Sequence, residues 1–293
     1  MATLLTEGFL WIEQMLYGSS FLVQARFVII LHIVRQRKER VLVTKKERLS
    51  SDGLVVREMN VGENDKLLTI LTRDYGIIKA FSSGSKKITN KKFSSSSLLS
   101  YANYSFVKVG DTYKIYEAQT IKSFFDVGSD VYLLSIAQYF CELAAYNVPI
   151  GSDGDEYLRL FLNSLHFLVD EKRDPELVKA ITELRLSVIL GYMPNLVACA
   201  DCSVFEEDIM YFDTSDGKLY CEKCKGNSPL LLPIDRTVLS AMRHVVFSQF
   251  KNIYNFEIPK EKSDYLSKVT EKYICTQTER NYKTLEFLAQ IRM

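Results

Sequence analysis

Four cysteines form two CxxC pairs in the second half of the chain. Cys199 and Cys202 make the first pair, Cys221 and Cys224 make the second, and eighteen residues (203–220) lie between them. Each CxxC turn places two thiolates on one side of the backbone, and two such turns complete a tetrahedron with no open position for water or substrate. The spacing therefore predicts one structural zinc ion. Two disulfides or four unrelated thiols are the alternatives.

The sequence around the cysteines predicts a small β-ribbon, which must bring the two pairs together. Residues 209–212 are strand-like, 215–217 (Ser-Asp-Gly) form a turn, and 218–220 lead back to the second pair. We therefore assign residues 199–226 to a zinc ribbon.

Apolar residues recur every three or four positions on both sides of this ribbon, which indicates amphipathic helices. Three helices are predicted before the ribbon, and Asp155 and Asp174 open the second and third of them. Asp235 is the predicted N-cap of the first helix after it. The helical domain then comprises residues 128–198 and 227–293, with the ribbon inserted between its third and fourth helices.

The front of the chain has the pattern of a small β-barrel. Residues 50–127 contain five short strands separated by turns, and the last two form a hairpin around Gly110-Asp111, a dipeptide that suits a tight primed turn. Five short strands in about 75 residues are typical of an OB-fold. The predicted fold class is therefore α+β: an N-terminal OB-fold β-barrel, followed by an α-helical bundle domain with an inserted zinc ribbon of four cysteine ligands.

A cationic loop joins the third and fourth predicted strands. Five lysines and no acidic residue occur from Lys79 to Lys92. We expect a flexible segment that follows a phosphate backbone, with counterion release supplying affinity without sequence preference. The candidate DNA-contacting residues are the cations of this loop and of the neighbouring strands: Arg57, Lys66, Arg73, Lys79, Lys86, Lys87, Lys91 and Lys92. The alternative is that the lysines only keep the loop solvated. Nearby aromatic rings that face solvent can stack on bases, but strand alternation is expected to place Phe81 in the barrel core.

The distribution of charge supports a polyanion-binding front module. The net charge is only +1, yet residues 50–127 carry eleven Lys/Arg against eight Asp/Glu, while residues 128–293 carry eighteen against twenty-four. The sequence has no nucleotide-binding P-loop, no dinucleotide fingerprint and no nucleophile elbow. We therefore predict that the protein is not an enzyme.

Residues 1–49 are predicted to lie outside the fold, as an upstream in-frame translation, because strand and turn signals begin abruptly at Asp52-Gly53. The apolar stretch at 21–34 is interrupted by Arg26 and is too short to span a bilayer, and the basic run follows it, unlike that of a signal peptide. A membrane anchor is the alternative. We expect a cytoplasmic protein with no membrane partner, and the family resemblance described next implies that it is nucleoid-associated.

Three stretches of the front module resemble the RecO family of bacterial recombination mediators and DNA repair proteins. They are Gly53–Glu58, Gly62–Thr72 and Tyr75–Phe81, and the second contains the run Gly-Glu-Asn-Asp-Lys-Leu-Leu-Thr-Ile-Leu-Thr ahead of a basic loop. The helical region with its inserted cysteine pairs also looks like the zinc-bearing branch of that family. The likeness covers about residues 50–293. The cationic loop of this chain departs from the family pattern, because it has lysines and serines at positions where family members frequently have arginines.

The resemblance implies a non-enzymatic mediator of the RecF pathway. RecO-like proteins bind single- and double-stranded DNA, anneal complementary strands and associate with RecR. With RecR they help to load RecA onto strands coated by single-stranded-DNA-binding protein, and they bind the C-terminal tail of that protein through the helical domain. The main alternative is a zinc-stabilised protein–protein interaction module without direct DNA binding. A hydrolase or transferase with an unrecognised site is disfavoured because no nucleophile–base pairing is evident.

Overall fold

A closed five-stranded barrel forms the N-terminal part of the computed structural model, which describes residues 48–124 and 130–291. The strands are β1 (Arg48–Val61), β2 (Asp65–Thr72), β3 (Gly76–Ser82), β4 (Ser100–Val109) and β5 (Thr112–Ser123). They follow the order β1-β2-β3-β5-β4 around the barrel, and β4 pairs with β1 to close it. The predicted barrel and the α+β fold class are confirmed.

The barrel interior follows from strand alternation, because every second side chain points to the same face. Leu68 and Ile70 from β2, Ile78 from β3 and Tyr104 and Phe106 from β4 are buried together in one apolar cluster. β3 and β5 meet in a short parallel pairing of two residues each. The two paired segments lie more than thirty residues apart in sequence. This separation is similar to the length of a βαβ unit, although here the connection is the cationic loop and β4.

Six helices within the described residues pack behind the barrel. They are α1 (Val131–Asn147), α2 (Asp155–Val169), α3 (Pro175–Ile189), α4 (Arg236–Phe247), α5 (Lys260–Thr278) and α6 (Lys283–Ile291). The side chains of Asp130, Asp174 and Asp235 accept backbone hydrogen bonds at the starts of α1, α3 and α4. Such N-caps satisfy otherwise unpaired amides and stabilise a helix by about 1 kcal/mol each.

The ribbon between α3 and α4 is larger than its sequence pattern indicated. Four strands, β6 (Asn195–Cys199), β7 (Ile209–Asp213), β8 (Lys218–Tyr220) and β9 (Leu231–Asp235), form a sheet in the order β6-β8-β7-β9. The outer strands β6 and β9 were not predicted. Their residues Leu196 and Ile234 are buried in the same apolar cluster as the helices, so the ribbon is part of the helical core instead of a separate appendage.

The barrel is joined to the helices by close backbone packing. The loop between α1 and α2 exchanges backbone hydrogen bonds with the turn after β2 and with the start of β3. Ile77 N–H of β3 donates to Pro149 O at 3.2 Å, and Gly154 N–H donates to Arg73 O of the turn at 2.8 Å. A Cβ on Gly76 would lie 2.3 Å from Pro149 O, and one on Gly154 would lie 2.2 Å from Thr72 O. Only glycine fits at these two positions, which fixes the barrel against the helical domain.

The described structure begins at Arg48, where β1 starts, so Arg48 and Leu49 belong to the first strand although they were assigned to the extension. The remainder of that extension, residues 1–47, lies outside the described residues. Within the described ranges, none of the helices combines the length and apolar character needed to cross a bilayer.

Candidate nucleic-acid interface and metal centre

The barrel presents an outer face that combines cations with exposed apolar groups. In the β-sheet register, Arg57 of β1 and Lys79 of β3 lie opposite Thr69 of the intervening strand. Directly paired residues point to the same side of a sheet, and two strand spacings separate Arg57 from Lys79 by about 10 Å. Both are exposed. Two of the predicted DNA-contacting residues therefore share one surface.

The next row of this face is apolar. Met59 and Phe81 flank Leu67 in the register, and Met59 and Phe81 are both exposed. The expectation that Phe81 belongs to the core is wrong, because the residue is 36% exposed. The physical reason is the two-residue period of a strand, which puts Phe81 on the same side as Lys79, while Ala80 points inward.

Lys114 is a candidate contact that sequence reasoning missed. The parallel pairing of β3 and β5 sets Lys114 directly beside Phe81, and Lys114 is exposed. Partial burial and then the charge of Lys114 lower the pKa of Lys92, against an opposing effect of Asp65. Lys92 and Lys114 are thus close enough to repel each other, and an anion between them would relieve that repulsion. We name Arg57, Met59, Lys79, Phe81 and Lys114 the outer face.

The cationic loop at 82–97 is folded onto the rim of the barrel, in contrast to the flexible segment expected. Inside the loop the hydroxyl groups of Ser82 and Ser96 lie 2.8 Å apart, and Tyr104 donates its hydroxyl to Ser95 O at 2.6 Å. At its start, Gly84 N–H donates to Asp65 Oδ1 at 2.8 Å. These bonds are buried or partly buried, so they hold the loop in one conformation next to the outer face.

This loop contains four lysines, Lys86, Lys87, Lys91 and Lys92. Lys87 and Lys91 are exposed, and Lys86 and Lys92 are half-buried. Lys86 donates to Gly62 O at 3.2 Å, which places its ammonium group over the turn between β1 and β2. The structure therefore brings the four loop lysines to the same end of the barrel as Phe81.

Lys66 and Arg73 do not join this group. The Lys66 side chain is 9% exposed, and its ammonium donates to Glu58 Oε2 at 3.0 Å and to Ser96 O at 3.1 Å. It lies beneath the cationic loop and supports it from inside, so it has no access to a phosphate. Arg73 lies at the opposite end of β2, about 23 Å along the strand, where it pairs with Asp52 at 3.1 Å and Asp155 at 3.4 Å. We remove both residues from the candidate DNA contacts.

The two CxxC pairs form the second site. The Sγ atoms of Cys199, Cys202, Cys221 and Cys224 all lie within 4.8 Å of one another, and Cys202 Sγ and Cys221 Sγ are 3.6 Å apart. A tetrahedral metal with sulfur bonds of about 2.3 Å has sulfur–sulfur edges of about 3.8 Å. The cluster is therefore compatible with a zinc site, and all four cysteines are free thiols instead of disulfides.

Hydrogen bonds around the cluster shift the pKa values of its thiols in opposite directions. Burial disfavours ionisation of Cys199, but the backbone N–H groups of Cys202, Cys221 and Asp201 outweigh it and lower the pKa of Cys199 to about 6. The pKa of Cys224 is raised to about 12, chiefly by hydrogen bonding with Cys202. A divalent cation that binds all four sulfurs as thiolates would displace the protons that remain on them.

The helices hold the first cysteine pair in place. Arg243 of α4 donates to Leu196 O at 2.7 Å, to Val197 O at 3.0 Å and to Phe205 O at 3.0 Å, on both sides of that pair. Its guanidinium also pairs with Glu206 at 2.7 Å. One arginine thus ties both chain segments around Cys199 and Cys202 to the helical core.

Comparison with known proteins gave matches along nearly all of the described chain. Residues 47–124 match the family model described as "Recombination protein O N terminal", and residues 128–286 match "Recombination protein O C terminal". A DNA repair protein RecO from Acetivibrio thermocellus is 30% identical over 240 residues, 82% of this chain and 96% of the relative. DNA repair proteins RecO from Caldicellulosiruptor bescii and Dehalococcoides mccartyi are each 28% identical, over 83% and 86% of this chain and 99% of either relative.

Proposed function

The chain belongs to the RecO family of DNA repair and recombination proteins, and from this membership we propose that it is a DNA-binding recombination mediator. The observation that carries the proposal is the outer face of the barrel, where Arg57, Lys79 and Lys114 share one surface with the exposed ring of Phe81. Cations along a backbone path supply affinity without sequence preference, and an exposed ring accepts bases of any sequence. The four loop lysines extend this surface.

We propose that this surface binds single- and double-stranded DNA and holds two complementary strands while they anneal. A bound strand has its charge partly neutralised by lysines, which lowers the repulsion against a second strand. Annealing of this kind needs no nucleotide hydrolysis. Both described histidines make contacts that fit a structural role: His166 lies 2.6 Å from Asp170, and His244 lies 2.9 Å from Asn252 O. We therefore propose a mediator that acts by binding DNA and that has no catalytic step of its own.

The proposed partners follow from the family resemblance. They are RecR, with which the protein would help to load RecA, and the C-terminal tail of single-stranded-DNA-binding protein, held by the helical domain. We place this activity in the cytoplasm, at the nucleoid. The resident cofactor proposed is one zinc ion on Cys199, Cys202, Cys221 and Cys224, whose chemistry would be structural because four thiolates leave no open coordination position.

A fluorescence-anisotropy titration with labelled oligonucleotides at several salt concentrations tests the proposal. The slope of log affinity against log salt falls by roughly 0.7 for each phosphate contact on a single strand. Replacing Lys86, Lys87, Lys91 and Lys92 by alanine should weaken binding of all sequences alike and should flatten the slope by about 2 to 3. The matched control is Arg73→Ala, a cation at the far end of β2, which should leave the slope unchanged.

An unchanged affinity and slope in the quadruple variant would place DNA, if it binds at all, elsewhere on the protein. Absence of DNA binding by the wild type together with retained capture of RecR would instead favour the alternative of a protein–protein interaction module. The annealing step is tested separately, with complementary strands in the absence of ATP, and a strict requirement for ATP hydrolysis would contradict the non-catalytic proposal.

A further inference from the structure

The cationic loop has an apolar tip. Ile88 is 82% exposed, and it lies between Lys86 and Lys87 on one side and Lys91 and Lys92 on the other. Single exposed apolar residues are common on protein surfaces and by themselves have no functional meaning. The features that distinguish Ile88 are its rigid support and the concentration of positive charge around it.

A chain of tight turns supports the tip. Lys87 N–H donates to Gly84 O at 3.2 Å, Asn90 N–H donates to Lys87 O at 2.9 Å, and Phe93 N–H donates to Asn90 O at 2.9 Å. Ile88 is the second residue of the turn that the bond between Lys87 and Asn90 closes. The backbone of the tip is thus positioned by hydrogen bonds before DNA binds, so insertion of the tip costs little further backbone entropy.

The amide of Asn90 reinforces this arrangement. Its Oδ1 accepts a hydrogen bond from Lys92 N–H at 2.9 Å, and its Nδ2 would lie 2.8 Å from a Cβ added to Gly84. Gly84 has a φ of +70°, in the left-handed region that glycine adopts without strain. The two ends of the turn series are therefore in contact across the base of the tip.

The charge around Ile88 selects the kind of partner. From Lys79 to Lys92 the chain has five lysines and no acid. Of the nearest acids, Glu63 lies in the turn between β1 and β2, and Asp65 begins β2 and accepts a hydrogen bond from Gly84 N–H at the start of the loop. A side chain of this type cannot stack as an aromatic platform does, because isoleucine has no π-face. An aliphatic side chain flanked by cations matches instead the apolar wedges that enter a base step while neighbouring cations hold the phosphates.

We propose that Ile88 is a wedge that inserts between adjacent base pairs of duplex DNA bound along the loop and unstacks that step. This inference rests on the proposed DNA-binding function and adds to it a specific action on duplexes. The lysines hold the phosphates on both sides of the step, and Ile88 fills the space that opens.

Duplexes that carry 2-aminopurine at successive positions test the wedge, because this base becomes brighter when it is unstacked. With protein at saturating concentration, the wild type should raise the fluorescence, and Ile88→Ala should abolish most of the rise. Ile88→Leu, which keeps an aliphatic side chain, should retain it. The matched control is Ile121→Ala, an apolar residue that is 54% exposed on β5 and lies about 23 Å along the strand from Lys114; this variant should keep the full response.

A second measurement reads the tip directly. The chain has a single tryptophan, Trp11, so Ile88→Trp in a Trp11→Phe background reports only on the tip. Its emission should be quenched on duplex binding as the indole contacts bases, and Ile121→Trp in the same background should keep its emission. The duplex affinity of Ile88→Ala should fall by about threefold to tenfold. The free energy gained by burying the isoleucine side chain exceeds the free energy spent on unstacking the bases only modestly, so its loss is small.

The outcomes separate the wedge from the proposed function. Normal DNA affinity and salt slope without any 2-aminopurine response in the wild type would overturn the wedge and leave the DNA-binding proposal intact. Absence of DNA binding in the anisotropy assay would overturn both. If Ile88→Ala keeps the 2-aminopurine response but loses binding to phosphatidylglycerol vesicles, the tip is a membrane-contacting element and the wedge is likewise overturned.

Discussion

Lys66 and Lys87 are both lysines of the basic front module, yet the structure gives them opposite roles, and this difference can be measured. The Lys66 ammonium is hydrogen-bonded to Glu58 and to the carbonyl of Ser96, a fully buried residue. Lys87 is exposed. We therefore expect Lys66→Ala to reduce stability with little effect on DNA contacts, and Lys87→Ala to do the reverse.

The decrease in the free energy of unfolding of Lys66→Ala depends on which of the two partners of Lys66 can find a new hydrogen bond. The side chain of Glu58 is 37% exposed, so after the substitution its carboxylate can be solvated by water, and the ion pair adds little. The carbonyl of Ser96 has no such access, and an unsatisfied buried carbonyl costs about 1–3 kcal/mol. For a fold of this size, each 1 kcal/mol lowers the melting temperature by about 2–4 °C. A loss of about 2 kcal/mol therefore predicts a decrease of about 4–8 °C for Lys66→Ala.

The assay combines thermal unfolding with the salt dependence of DNA binding for the same two variants. Lys87→Ala should melt like the wild type and flatten the salt slope by roughly 0.7 on single strands. Lys66→Ala should melt earlier and keep the slope. A Lys66→Ala protein with an unchanged melting temperature and a flattened slope would refute the inward orientation of Lys66 and return it to the DNA contacts.

Three further outcomes are expected. Phe81→Ala should weaken single-strand binding by about 1–3 kcal/mol with an unchanged salt slope, and because the ring is on the outer face, a large decrease in melting temperature would place it back in the core. Cys202→Ser should lower bound zinc below one ion per chain by elemental analysis and reduce thermal stability, since three thiolates and a hydroxyl bind the metal poorly; a full zinc content would exclude the assignment. Burial raises the pKa of Asp235, but the hydrogen bonds from Lys262 and from the Val238 amide lower it below its ordinary 3.8. The stabilisation by Asp235 is thus fully present above about pH 4 and is lost as pH falls through the lower folded-state pKa. Asp235→Ala should lower the free energy of unfolding, measured in urea, by about 1 kcal/mol at pH 7. An equal decrease at about pH 2 would contradict the pKa direction.

Some buried charge in this protein has no signature in the sequence. Lys179 lies in α3 and is fully buried, with its ammonium 2.8 Å from Glu183 and 2.8 Å from Glu271 of α5. Glu183 also accepts hydrogen bonds from Tyr139 at 2.8 Å and Thr270 at 2.7 Å. A Lys and a Glu four residues apart normally indicate a solvated helix surface. Here the packing of α3 against α5 encloses them.

Local patterns in the sequence determined the features that depend on neighbouring residues. The CxxC spacing predicted the thiol cluster at the four cysteines, because each knuckle is a short turn whose geometry is set by its own residues. The aspartates that precede α3 and α4 predicted the starts of those helices, because an N-cap bonds only to amides two or three residues ahead. Alternation and Gly110 likewise predicted the hairpin of β4 and β5.

The tertiary structure alone decided which cations share a surface. Closing the barrel pairs β3 with β5 and so sets Lys114 beside Phe81, although thirty-two residues separate them in sequence. Strand register turns Lys66 inward and leaves Lys79 outward, and both read simply as lysines in an apolar strand. The outward side of Phe81 could have been read from Lys79, two residues earlier, because the period of a strand is two. The position of Lys114 had no such local signal, since pairing between distant strands depends on how the whole barrel closes.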